Sequence, residues 1–162
     1  MIKNIDKIIK YSRYLTALTL SLLVGLILYD ATARYLFSAG STALQELEWH
    51  FFDVVILLSI AYTLKEDAHV RVDIFYANFS PKVKLIIDTI ATLFFILPLA
   101  GLIVYIGVHF TALSFLQGEA SSDPGGLGSR WIIKAFMPLS FLLVVAVSIS
   151  NLSKTLERWR AL

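Results

Sequence analysis

Four apolar runs dominate the sequence, and they leave little freedom in the fold. A spanning helix needs about 20 mainly apolar residues, because the hydrocarbon core is ~30 Å thick and each residue rises ~1.5 Å. Runs at about 14–37, 47–64, 85–115 and 132–152 qualify, the third being long enough to tilt or project. Backbone amides in lipid must bond within the chain, and the runs lack the two-residue alternation of a β-barrel. The sequence therefore predicts an all-α integral membrane protein with four transmembrane helices. Composition agrees: 57% of residues are hydrophobic and 16% charged, against about 45–50% and 25% in soluble domains. The 162 residues make one domain, 1–162. A net charge of +2 is too small to indicate a nucleic acid partner. Cysteine is absent, which removes disulfides, thiol catalysis and cysteine-based metal sites. The start, MIKNIDKIIKYSRYL, is basic and then apolar like a secretory signal. Its apolar run is too long and no small-x-small cleavage site follows, so a retained first helix is expected.

Orientation follows from where lysine and arginine fall. The N-terminal tail carries Lys3, Lys7, Lys10 and Arg13, and the first connection, 38–46, carries none. The second, 65–84, carries Lys65, Arg71, Lys82 and Lys84; the third, 117–131, carries only Arg130; the C-terminal tail carries Lys154, Arg158 and Arg160. Rich, empty, rich, poor, rich places both termini and the second connection in the cytoplasm. Ile2, Ile5, Ile8 and Ile9 recur at helical spacing among lysines. This fits an amphipathic segment lying on anionic lipid, or else a plain extension of the first helix.

Local chemistry marks the boundaries. Ser80-Pro81 suits a helix start, with serine capping orphan amides and proline tolerated in the first turn. The stretch DPGG, 123–126, is turn chemistry. Pro98 and Pro138 fall inside the third and fourth helices, where each removes a backbone donor and is expected to kink its helix.

Charged residues within the runs are the candidates for function, since a mid-membrane aspartate, lysine or arginine costs about 2.5–3.5 kcal/mol on insertion scales. Asp30 and Arg34 stand four apart and can pair on one helix face. Glu46, His50 and Asp53 also share a face, which reads as a polar seam or protein contact before a metal site, because no second histidine stands at ligand spacing. His50 and His109 fall at similar depth on the second and third helices. Two such histidines could ligate a haem, making a small b-type cytochrome the alternative reading. A self-sufficient small transporter built on Asp30, Glu46 and Asp53 is another. The segment EDAHVRVDIFY, 66–76, gathers His69, Arg71 and Asp73. Arg71 would compete with a metal there, and the polar–apolar alternation suits a self-paired connector. No nucleophile elbow, phosphate loop or zinc-protease motif is present, so an enzyme is not expected.

Four pieces in order are familiar: ARYLF at 33–37, QELE at 45–48, AYTLKEDAHVRVDIFY at 61–76 followed by Ser80-Pro81, and DPGGLGSRWIIKAFMPL at 123–139. Together they resemble the small membrane subunit of a TRAP transporter (tripartite ATP-independent periplasmic transporter), the DctQ-like family, over nearly the whole chain. One departure is Gly128-Ser129, where members often carry proline and an aromatic or polar residue. The resemblance implies a non-catalytic, cofactor-free subunit in the bacterial inner membrane. It implies two protein partners besides membrane lipids: a large membrane subunit (DctM-like) and a periplasmic solute-binding protein (DctP-like). The binding protein would capture a small organic acid. The large subunit would move it inward on a sodium gradient by an elevator-like motion, with the small subunit bracing its scaffold. Substrate and sodium residues would then lie in the partner. The candidate partner-contact or structural residues of this chain are Asp30, Arg34, Glu46, His69, Arg71, Asp73, Gly126, Arg130, Trp131 and Lys134.

Overall fold

The computed structural model describes residues 2–66, 76 and 78–160. Helix α1 is Ile2–Phe37, α2 is Thr42–Lys65 and α3 is Pro81–Ala91. A π-helical turn, Thr92–Ile96, leads into α4, Leu97–Leu116, and α5 is Trp131–Arg160. Helices α3 and α4 with the turn between them form one rod, so four rods are long and apolar enough to cross a membrane. The described residues include no strand.

Residues 2–13 are continuous with the rest of α1 as its first turns. Ile9 is buried in a cluster with Ala61 and Val147, and Ile5 packs against that cluster. Asp6 pairs with Lys65, and the Ser12 hydroxyl donates to the Leu58 carbonyl over 3.2 Å. Further along α1, the less exposed positions are 9, 12, 16, 19, 23, 26, 30 and 33, with Ala31 beside them. Steps of three and four in alternation make a narrow coiled-coil seam, and that seam faces α2. The rest of the helix is open, including Leu15, Leu18, Leu22 and Leu28.

The most extensive helix contact joins α4 to α5. Lipid tails are as apolar as leucine, so helices in a bilayer adhere by close packing, and small residues let their backbones approach. Helix α4 buries Ala100, Gly107 and Ser114, seven apart on one line. Helix α5 answers with Pro138, whose ring lies against Gly107, and it also buries Ser140, Val144, Val147 and Ser148 among its neighbours. Helix α5 also packs on α2, and less on α1, whereas α2 and α4 share no extended contact. The order of contact is therefore α1, α2, α5, α4, with α5 inside.

The two prolines behave differently. Ahead of Pro98 the helix widens into the π turn, where the Leu97 amide donates to the Thr92 carbonyl. Widening gives room for a ring that cannot donate and would crowd the preceding turn. Pro138 stays within an unbroken α5, packed by the bare backbone of Gly107. Ser80 caps α3 as its sequence indicates, accepting from the Val83 amide over 3.4 Å, with Pro81 in the first turn.

Candidate functional site

Among the described residues, the densest polar cluster lies at the end of the bundle that carries the 38–41 and 117–130 connections. The longer connection is a tied loop. It leaves α4 through Gly118, whose φ of +58° is the left-handed turn glycine favours. There the Gly118 amide donates to Phe115 and the Glu119 amide to Ser114, a Schellman ending that satisfies the last carbonyls of α4. Asp123–Gly126 then turns back, with the Gly126 amide donating to the Asp123 carbonyl over 3.0 Å and Gly125 at φ +78°. Proline second and a left-handed glycine third is the pattern of a type II turn. The Ser121 amide donates to Leu127 over 2.9 Å and the Arg130 amide to Glu119 over 3.0 Å, closing the loop at its base.

Glu46 enters this loop from α2. Its carboxylate accepts from the Ser121 hydroxyl, from the Leu127 amide over 2.6 Å, and from the Arg130 guanidinium over 3.0 Å. Arg130 also lies 3.4 Å from the Ser121 hydroxyl oxygen. Gly126 has to be glycine here: an added Cβ would overlap the Ser121 side chain and stand 2.9 Å from Glu46 Oε2. Beside the cluster Lys134 pairs with Glu119, and its ammonium sits 3.9 Å from the centre of the Phe110 ring. The Lys134 contact holds the Glu119 carboxyl below its ordinary range. Trp131 meets Phe115 edge to face, ring centres 5.3 Å apart. The whole is a latch, in which one carboxylate on α2 collects three donors from the α4–α5 connection.

Below the latch a groove of about 480 Å³ runs along α2 and α5. Gln45, Trp49, His50 and Asp53 line one wall, and Arg130, Ile133 and Lys134 the other. Glu46, His50 and Asp53 thus open on one space, as their spacing indicates.

Asp30 and Arg34 pair with each other on α1, apart from the latch. Asp30 is fully buried in the α1–α2 seam, while the Arg34 side chain is 45% exposed. Asp30 Oδ1 and Glu48 Oε1 are buried with no hydrogen-bond partner among the described residues. His69, Arg71 and Asp73 lie outside the described residues.

The haem alternative does not survive the helix arrangement. It requires His50 and His109 on neighbouring helices, and α5 stands between α2 and α4. His109 is exposed, beside the Tyr105 ring of its own helix at 5.4 Å between centres. Of the candidates named from sequence, the fold brings Glu46, Gly126 and Arg130 into direct contact and sets Trp131 and Lys134 beside them. Ser121 and Glu119 are the members that sequence reasoning missed. Neither sits at a helical repeat from its partner, so only the closed loop reveals them.

A family model described as "Tripartite ATP-independent periplasmic transporters, DctQ component" matches residues 23–158. No curated protein matches the chain.

Proposed function

This chain belongs to the DctQ family of TRAP transporter components, and from that premise we propose that it braces the large transport subunit rather than carrying substrate itself. The observation that supports this most is where its charges go. Asp30 with Arg34, Glu46 with Arg130, Glu119 with Lys134 and Asp6 with Lys65 neutralise one another inside the chain. Substrate and sodium sites in secondary transporters are built on broken half-helices near the membrane midplane. Here the π turn at Thr92–Ile96 instead presents Phe94 and Phe95 outward, both exposed and apolar. A rigid framework is what such a chain offers.

On this reading the chain sits in the inner membrane of a bacterium with both termini in the cytoplasm. It pairs with a DctM-like large subunit, which moves a small organic acid on a sodium gradient after delivery by a DctP-like binding protein. The loop held by the Glu46 latch faces the periplasm. The absence of cysteine makes the orientation directly testable. A single cysteine at Ser38 or Ser122 should react with an impermeant maleimide added to intact spheroplasts, and one at Ser153 should not. Expressed with the large subunit, the chain should co-purify through detergent, and expressed alone it should take up no substrate. Uptake by the chain alone would refute the bracing role.

A further inference from the structure

We propose that the outward face of α2 around Asp53 is the seat of a membrane helix of the large transport subunit, and that this helix brings a lysine or arginine to the Asp53 carboxylate. The proposal rests on the reading of the chain as a bracing subunit and adds the face, the residue and the chemistry of the contact.

Asp53 is the twelfth of the 24 residues of α2, so it lies near the middle of that span. It is exposed on the outside of the bundle, as are Trp49, Phe52 and Ile56 around it. These four stand at i, i+3, i+4 and i+7 from Trp49, one continuous strip. Asp53 makes no hydrogen bond or ion pair with any described residue. An aspartate turned toward lipid near the midplane is costly to insert, and such residues face protein or water and pair there.

The chain's own cations in the groove do not serve it. Arg130 is held by Glu46 and Lys134 by Glu119. His50, one turn earlier on α2, lines the same groove and acts on Asp53 only through its charge when protonated, without a hydrogen bond. The remaining lining acid, Asp123, lies in the tied loop and adds negative charge. With His50 neutral, the groove therefore carries an unmatched negative charge at Asp53, flanked by aromatic and aliphatic side chains. A helix with apolar residues at matching spacing and one basic side chain complements it in shape and sign. The buried Asp30, whose partner is Arg34 on its own helix, shows the contrasting case of a charge matched within the chain.

The test is photocrosslinking in the co-expressed complex. A benzophenone amino acid replaces Trp49 or Ile56 on the proposed face, and Leu22 or Leu102 on exposed faces of α1 and α4. The large subunit should be captured from 49 and 56 at least tenfold more than from 22 and 102. In parallel, Asp53→Leu should raise the yield of the chain expressed alone, yet lower the co-purified large subunit about tenfold. Asp53→Glu should retain the complex. Capture from 22 or 102 instead, or lipid adducts alone from 49 and 56, would overturn this docking face while leaving the bracing role standing. An unchanged subunit ratio in Asp53→Leu overturns the charge contact. Failure of the unaltered chain to co-purify at all removes both readings.

Discussion

Gly107 should be the least replaceable residue on the contact face of α4. A Cβ there would stand 3.0 Å from Pro138 Cδ, 3.1 Å from Met137 Cε and 3.2 Å from Pro138 Cβ. Carbon atoms rest at about 3.5–4.0 Å, so the shortfall is roughly 0.5–1 Å. The thioether end of Met137 can swing aside. The Pro138 ring is fused to its backbone and cannot, so relief requires the two helices to part. Overpacking of this kind costs ~1–3 kcal/mol. Removing a glycine from a helix interior returns up to ~1 kcal/mol. Gly107→Ala should therefore lose up to ~2 kcal/mol. Gly101 provides the control on the same helix, because no heavy atom lies within 4 Å of a Cβ placed there. Gly101→Ala keeps only the propensity gain and should be neutral or slightly stabilising. Unfolding of the purified chain by dodecyl sulfate in mixed micelles, followed by tryptophan fluorescence, gives both midpoints. They should move in opposite directions, and Pro138→Ala should recover part of the Gly107→Ala loss by removing the obstructing ring. Equal shifts for the two glycine variants, or no recovery with Pro138→Ala, would show that ring contact does not set the α4–α5 distance.

Four further outcomes follow from the polar contacts. Gly126→Ala should push the Ser121 hydroxyl off Glu46 and loosen the loop, seen as faster hydrogen exchange at the Leu127 amide. Arg34→Ala leaves Asp30 buried without its counter-ion and should cost about 1–3 kcal/mol. The double variant Asp30→Leu with Arg34→Leu should be milder, because no buried charge is then left unmatched. Glu119 is depressed below its ordinary value of 4.5 by the Lys134 contact. A lowered folded value means its contribution is present above pH 4.5 and is lost as pH falls through the folded value. The stability difference between the unaltered chain and Glu119→Gln should therefore be full at pH 7 and shrink below pH 4.5, in thermal melts across that range.

Much of the architecture was written in hydrophobicity. The spans are legible because length against bilayer thickness is a one-dimensional question, and the helix start at Ser80-Pro81 and the loop turn at DPGG follow from residue chemistry alone. The neighbours of each rod were not legible. That α5 separates α2 from α4 depends on which faces carry small residues, and Ala100, Gly107 and Ser114 reveal this only once their partner helix is known. The same ignorance sustained the haem reading, since equal depth says nothing of adjacency. In the latch, Glu46, Gly126 and Arg130 drew notice separately as charge, turn and motif. Their meeting required the tied loop, whose bonds run between residues that share no helical spacing.

The position of α5 has a consequence for how the molecule comes into being. Chains emerge from the ribosome N-terminus first, so the helix that everything else leans on is the last to be made. Until Trp131–Arg160 has entered the membrane, the α1–α2 hairpin and the α3–α4 rod have no extended contact with each other. In the unfinished chain the seats that α5 occupies on α2 and α4 are then open to lipid. A truncation before residue 131 would yield no smaller bundle, only that hairpin and that rod.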